Sequence, residues 1–328
     1  MKIDFVITWV DNTDEEWLKE KQKYSPNKNV DARNVRYRDW DNLKYWFRSV
    51  EKFAPWVNKI YFVTSGHLPT FLDTSNPKLV IVNHKDFIPE EYLPTFNNRT
   101  IELNLHRIKD LAENFVYFND DMFLIKPTNP EHFFKNNLPC DTAVLNAIVP
   151  NLDNWEHTLL NNTAIINKYF KMKECIKRNL FKWFNFKYGS DQIRTLLLLS
   201  WNNFPGMKFY HLPISYKKDA FIEVWAKEGN ILHNTCNQKF RNNLDSVNNW
   251  VIQNWQLAKG DFIPRKANFG KFHVLDNSNK KVTEDIKNKK YYAICLNDSY
   301  RITEFEKVKV ELEEAFKSIL PEKSSFEK

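Results

Sequence analysis

The sequence predicts an α/β protein built on a mainly parallel sheet. Short apolar runs of strand type alternate with segments of helical periodicity. The connections between them are short enough to join neighbouring parallel strands. Polar side chains gather where the strand-type runs stop, and open α/β sheets bind their ligands at the carboxyl ends of their strands.

Ile3 to Val10 (IDFVITWV) reads as a mostly buried strand ending in Asp11-Asn12-Thr13-Asp14. From Asp41 to Phe53, Leu43, Phe47, Val50 and Phe53 recur at helical spacing, with Pro55 as a stop. Lys59 to Thr64 is a second strand, ending at Ser65-Gly66-His67, and Leu79 to Val82 a third, ending at Asn83-His84. Thr100 to Leu111 is helical on the stripe Ile101, Leu105, Ile108 and Leu111, with Glu102 and His106 one turn apart on a neighbouring face. Phe115 to Phe123 (FVYFNDDMF) is the fourth strand, and it runs into Asn119, Asp120 and Asp121.

Ala143 to Ile148 reads as a further strand, and Lys208 to Tyr210 as an extended piece leading into His211-Leu212-Pro213. Ala220 to Glu228 and Leu244 to Leu257 read as helices, and Tyr291 to Leu296 as a late strand before Asn297-Asp298. Thr303-x-x-Glu306 has the form of a capping box. It would open a helix with Phe305, Val308, Leu312, Phe316 and Ile319 along one side. Beyond Pro321 a charged, frayed end is expected.

At 328 residues and 42% hydrophobic content, the chain can bury the core of one large domain or two ordinary ones. The expected divisions are 1–149 and 201–328 as parts of one catalytic α/β domain, and 150–200 as a helical insertion. Having only 6 glycines and no GxGxxG or Walker pattern argues against an ordinary dinucleotide enzyme or a P-loop kinase. The four cysteines, Cys140, Cys175, Cys236 and Cys295, lack CxxC spacing, which fits a reducing cytosol. No apolar run reaches the ~18 residues of a membrane span, and Asp4 interrupts any signal-like start. The expectation is a soluble cytoplasmic protein, or one peripheral to the inner face of the membrane.

The net charge of +7 fits a lysine-rich surface, or else anionic substrates, membrane surfaces or nucleic acid. In the insertion, Lys171, Lys173, Lys177, Arg178, Lys182 and Lys187 interleave with Phe170, Phe181, Trp183, Phe184, Phe186 and Tyr188. Either an amphipathic helix pair packs on the core there, or a basic–aromatic face meets a lipid interface or a sugar acceptor.

Two adjacent carboxylates at a buried strand's end call for a cation. Magnesium-type ions take oxygen ligands, often one or two carboxylates plus phosphate oxygens. The alternative is that one aspartate caps a turn and the other is solvated. His211 can act as general base or stabilise charge, and the Arg241 fork suits phosphate. Glu102 with His106 is an intrahelical contact before it is a zinc pair, because the HExxH order is missing. Leu93 to Arg99, rich in amides around Asn97, suits sugar hydroxyls and phosphates or a plain helix-entry loop. A polyanion groove such as a nucleic-acid site is disfavoured, because strand-end carboxylates would repel phosphate unless a metal intervened.

At these residues the chain resembles the Stealth family of capsule and cell-wall sugar-1-phosphate transferases. That family includes the animal enzyme adding N-acetylglucosamine-1-phosphate to lysosomal glycoproteins. One block is similar to Ile3 through Asp14. A second runs from Arg38-Asp39 through Ala54-Pro55-Trp56-Val57, Lys59-Ile60-Tyr61, Leu93 to Asn97, Ile101-Glu102, Leu105-His106-Arg107 and Phe118 to Asp121. A third is His211-Leu212-Pro213 with Phe240-Arg241, thirty positions on from the histidine, and Asp245; a fourth is Cys295 to Asp298. The family usually has Gly where this chain has Asn12, a residue that tolerates positive φ.

The resemblance implies a Rossmann-like (GT-A-like) fold that transfers a hexose-1-phosphate, N-acetylated or not, from a UDP-sugar to an acceptor sugar hydroxyl, releasing UMP. The acceptor would be a glycan or lipid-linked oligosaccharide, and Mg2+ or Mn2+ would sit on Asp120 and Asp121. Asp120, Asp121, His211 and Arg241 are the implied catalytic set. Asp4, Asp11, Arg38, Asp39, Asn97, Glu102, His106, Arg107, Asn119, Asp245, Asn297 and Asp298 are the implied substrate-binding set. The competing readings are a metal-dependent glycosyltransferase releasing UDP and a non-catalytic polyanion or polysaccharide binder.

Overall fold

The computed structural model describes residues 1–11, 13–25, 40–152 and 155–328. Its strands are β1 (Ile3–Thr8), β2 (Ile60–Thr64), β3 (Leu79–Asn83), β4 (Asn114–Asn119), β5 (Met122–Leu124), β6 (Phe134–Lys135), β7 (Leu138–Asp141), β8 (Ile214–Lys217), β9 (Ile263–Pro264), β10 (Gly270–Val274) and β11 (Ala293–Asn297). Its helices are α1 (Glu15–Tyr24), α2 (Leu43–Phe53), α3 (Asn98–Asn104), α4 (Glu156–Tyr169), α5 (Met172–Arg178), α6 (Leu180–Trp183), α7 (Gln192–Leu198), α8 (Lys218–Asn237), α9 (Trp250–Lys259), α10 (Lys280–Lys287) and α11 (Phe305–Ile319).

The central sheet runs β3-β2-β1-β4-β8, parallel except for β8. The interiors of its middle strands are almost wholly apolar or aromatic because both faces are covered. Phe5, Ile7, Ile60, Phe62, Val116 and Phe118 point into one core, which α2 and α11 close. Val6, Tyr61, Val63, Phe115 and Tyr117 point into the other, which α8 and α9 close. Phe118 shows how tight the first core is, with its ring 4.9 Å from Phe5 and 5.5 Å from Trp46. A smaller sheet, β10-β11-β5, joins the carboxyl edge of β4.

Several expected elements differ. The Phe115–Phe123 run is two strands, because Asp120 and Asp121 form a turn that hands the chain from the large sheet to the small one. Ala143 to Ile148 is not a strand; only Leu145 bridges Met207. The Thr100–Leu111 helix stops at Asn104 and tightens into a 3-10 turn, and the Leu244–Leu257 helix begins only at Trp250. The α1 helix went unread, although Asp14 caps it by accepting the Trp17 N–H at 2.7 Å, with Glu15 and Glu16 in its first turn.

The capping box before α11 does not form; Thr303 accepts from Asn277 instead, at 3.0 Å. The end of the chain is not frayed. Phe326 is buried in the first core, Glu327 meets Arg48 through two bonds of 2.8 and 2.7 Å, and Leu72 bridges Glu327. A charged tail looks free in sequence, but its one aromatic residue anchors it and the anchored carboxylate finds a guanidinium.

Candidate active site

The register of β1 against β4 sets Thr8 opposite Asn119, so both strands end together. The next two residues, Asp120 and Asp121, turn over this end. The Leu296 N–H donates to the Asp121 carbonyl at 2.9 Å, which fixes the turn to the small sheet. Cys295 lies opposite Met122 across β11 and β5, and its thiol donates to Asp121 Oδ2 at 3.2 Å. From the other side, His211 Nε2 comes within 3.8 Å of the same oxygen.

His211 is held in the left-handed region at φ 49, a strained conformation for a non-glycine residue. The rings of Phe209, Phe272 and Trp250 enclose it at 5.1, 5.2 and 6.1 Å. Gly270 lets the neighbouring Leu212 close on β10, since a Cβ there would come within 2.6 Å of Leu212 and 2.7 Å of the Ala293 carbonyl. Burial lowers the His211 pKa, and the Asp121 charge opposes that only in part, so the imidazole is neutral at pH 7. Burial and Asp121 push the Cys295 thiol well above its ordinary pKa, so it stays protonated.

Among the described residues, Asp121, His211 and Cys295 form the group able to hold a metal, their ligand atoms all within 4.8 Å of one another. Asp121 Oδ1 and His211 Nε2 are both buried without a hydrogen-bond partner, so the donor set is incomplete as it stands. The Asp121 carboxylate oxygens suit magnesium or manganese, whereas a protonated thiol does not. The residues thus fit a hard divalent cation, with Cys295 orienting Asp121 rather than ligating.

A second group lies on the other side of β4. Glu102 is buried, and its Oε1 accepts from Asn98 Nδ2 at 2.8 Å and from the Tyr117 hydroxyl at 3.3 Å. Tyr117 in turn meets Thr8 Oγ1 at 3.1 Å, at the end of β1. Burial raises the Glu102 pKa to about 7, against the lowering effect of Arg241, Asn98, Arg99 and Tyr117. Asp120 stands between the groups, since its charge raises both the Tyr117 and the Cys295 pKa.

Other expected site residues fall in different places. Asp11 stays at the rim of β1, with its N–H donating to His67 Nε2 at 2.6 Å and its Oδ1 accepting from the Thr13 N–H and hydroxyl. Asn119 ends β4. At the end of β11, Asn297 donates to the Asp298 carbonyl at 3.0 Å, and Asp298 accepts from Trp40 Nε1 at 3.3 Å. Arg38 and Asp39 lie outside the described residues.

Asp4 needs correcting: it is fully buried at the opposite end of the sheet. Its oxygens accept from Asn58 Nδ2 at 2.7 Å, Lys59 N–H at 3.1 Å and Ala112 N–H at 2.7 Å. That saturates a carboxylate as a structural clamp. Asn97 is likewise structural, capping α3 and tying it to the Thr235 and Gln238 carbonyls. The Glu102–His106 pair does not exist, because α3 ends between them. His106 stacks on Phe221 at 5.5 Å with its pKa pushed down to about 3 by burial, and Arg107 lies over Trp225 at 5.1 Å. Asp245 is exposed and accepts from Gln238.

Sequence reading missed Thr8, Tyr117 and His67, and it gave Cys295 no role at the carboxylates. A thiol directly before Leu296-Asn297-Asp298 was visible, but its pairing with the strand after Asp121 was not.

The α/β fold thus gathers carboxylates and a neutral histidine at one sheet end, with the Arg241 guanidinium close enough to Glu102 to lower its pKa. The chain is 46% identical over 330 residues to the capsular polysaccharide phosphotransferase WcwK of Streptococcus pneumoniae, covering 100% of this chain and 98% of that one. It is 40% identical to the exopolysaccharide phosphotransferase cps2G of Lactiplantibacillus plantarum, covering 99% and 96%. To the receptor polysaccharide phosphotransferase WefC of Streptococcus oralis it is 39% identical, covering 99% of each. The Stealth conserved regions 1 and 2 match residues 1–29 and 36–141.

The chain belongs to the Stealth family of polysaccharide phosphotransferases. A galactosyltransferase LgtC structure with donor and acceptor sugar analogues aligns over 96% of both chains at 11% identity, with a TM-score of 0.40. At that level the likeness bears no weight.

Proposed function

We propose that the chain transfers a hexose-1-phosphate from a UDP-sugar to a hydroxyl of a growing surface polysaccharide. The acceptor oxygen bonds to the sugar-proximal phosphorus, the bond from that phosphorus to the bridging oxygen breaks, and UMP leaves. The sugar C1–O bond stays intact. The observation that carries this reading is the meeting of Asp121, neutral His211 and Cys295 at the end of β4, with unpaired acceptor atoms on the first two.

Neutral His211 takes the acceptor proton, and the Asp121 charge, 3.8 Å away, stabilises the imidazolium that forms. Cys295 holds Asp121 by its thiol hydrogen bond. Arg241, exposed and close enough to lower the Glu102 pKa, offers its fork to the diphosphate. A magnesium or manganese ion on Asp121, with Asp120 beside it, would neutralise charge on the diphosphate. Each of these roles needs position and charge more than covalent chemistry. The acceptor is a glycan or lipid-linked oligosaccharide, and the enzyme works beside a membrane.

The test is to incubate the protein with a panel of UDP-sugars and an oligosaccharide acceptor, with and without Mg2+ or Mn2+, and to separate the nucleotide products. UMP release and a phosphodiester in the product are expected. Release of UDP with a plain glycosidic product would sink the reading in favour of an ordinary glycosyltransferase.

A further inference from the structure

Residues 168–201 hold eight basic and two acidic side chains, a net +6 of the whole chain's +7. Six of the eight basic residues carry exposed or solvent-reaching ends on α4, α5 and α7 and the turns between them. Lys182 and Lys187 turn inward to the Gly260 and Pro264 carbonyls. The charge left outside is centred on Lys171, Lys173, Lys177, Arg178 and Arg194, all exposed.

The apolar residues beside these charges face the wrong way for a packed helix. In α7, Ile193, Leu196 and Leu197 share one face at i, i+3 and i+4, and all three are exposed. The buried member of that helix is Thr195, whose hydroxyl accepts the Leu145 N–H at 3.1 Å. Phe181 and Phe186 are 84% and 91% exposed, while Trp183 and Tyr188 between them are buried. The segment therefore has its own core and a separate apolar crest.

Hydrogen bonds join the crest into one surface. The Asn185 side-chain amide donates to the Phe181 carbonyl at 2.9 Å, and its backbone N–H donates to Gln192 Oε1 at 3.0 Å. Lys173 reaches Asn202, next to exposed Trp201, at 2.9 Å.

We infer that this crest is a docking surface for an anionic phospholipid bilayer. Phe, Leu, Ile and Trp side chains ringed by lysine and arginine match the acyl–headgroup boundary. A second copy of the chain is a poor occupant, because two faces of like charge would meet. A polysaccharide matches only part of the surface: sugar rings can stack on Phe181, Phe186 and Trp201, but the exposed stripe Ile193, Leu196 and Leu197 offers them neither a ring nor a hydrogen bond. The inference does not depend on the transfer reaction assigned above.

The test is flotation of the purified full chain with phosphatidylcholine vesicles containing about one-third phosphatidylglycerol, or none. The protein should float with the anionic vesicles only, and about 0.5 M salt should release most of it. Phe181→Ser with Phe186→Ser, and separately Leu196→Ser with Leu197→Ser, should each cut the bound fraction at least about tenfold. Lys173→Glu with Lys177→Glu should do the same. All three variants should keep the wild-type melting curve and turnover on a water-soluble acceptor. No flotation of the wild-type protein, or flotation unchanged in all three variants, overturns the inference. So does a wild-type dimer in solution that the phenylalanine variant dissolves.

Discussion

The central sheet and the segment around α5–α7 treat apolar residues in opposite ways. In β1, β2 and β4 every aromatic and aliphatic side chain is buried, because two layers of helices cover both faces. In the segment, a comparable density of phenylalanine and leucine divides into a buried set, Trp183 and Tyr188, and an exposed set, Phe181, Phe186 and Leu197. The sheet spends its apolar area on holding the Asp120–Asp121 turn in place. The segment leaves part of its area in water, which is unfavourable unless another phase covers it.

The comparison can be broken most sharply by removing chemistry without removing fold. Asp121→Asn, His211→Ala and Arg241→Ala should each lower turnover by roughly 10²–10⁴ while the melting curve stays near wild type. Near-normal activity in all three would relocate the site.

Core substitution should act the other way round. Phe118→Ala, at a fully buried ring, should cost about 3–5 kcal/mol in denaturant titration. Phe186→Ala should stay within about 0.5 kcal/mol, being exposed. Equal losses at the two positions would mean that the crest is core after all.

The docked tail sharpens the picture on the sheet side. Arg48→Ala leaves Glu327, with a side chain 4% exposed, without its partner, and should cost about 2–3 kcal/mol. Hydrogen exchange should quicken along residues 320–328. A tail as free as its composition suggests would give no change.

A further effect is in the pH profile. His84 and His106 are buried, with pKa values pushed down to about 4 and about 3. Their lowered values mean that the unfolded chain takes up protons first as pH falls below about 6.5. Stability is therefore full above that pH and declines toward pH 4, by up to roughly 3 kcal/mol for a fully buried imidazole. Glu102 works in the opposite direction, because its raised pKa of about 7 gives stability as pH falls from 7 to 4.5. Glu102→Gln should thus steepen the acid decline in melting temperature. A flatter profile would reverse the sign assigned to Glu102.

Some of the residues that gather at the end of β4 were legible in the sequence as candidates. Asp120 and Asp121 at the end of an apolar run, and the two separate residues His211 and Arg241, stood out by residue type and position. The partners that give these groups their character were not. Cys295 reaches Asp121 only because β11 runs antiparallel to β5, and Glu102 meets Thr8 through Tyr117 only because β1 and β4 stop in register. Asp4 misled because a carboxylate near a strand reads alike at either end; here it clamps backbone N–H groups at the amino end of the sheet.

By itself the sequence determined the alternation of strands and helices, the absence of a glycine-rich phosphate loop, and the placing of two adjacent carboxylates at the end of an apolar run. Local periodicity and residue chemistry suffice for those. Tertiary structure alone decided which carboxylate faces His211, which phenylalanines of the insertion are core and which are crest, and that the charged end of the chain is anchored. Each of these depends on contacts between residues far apart in the chain, which no local pattern encodes.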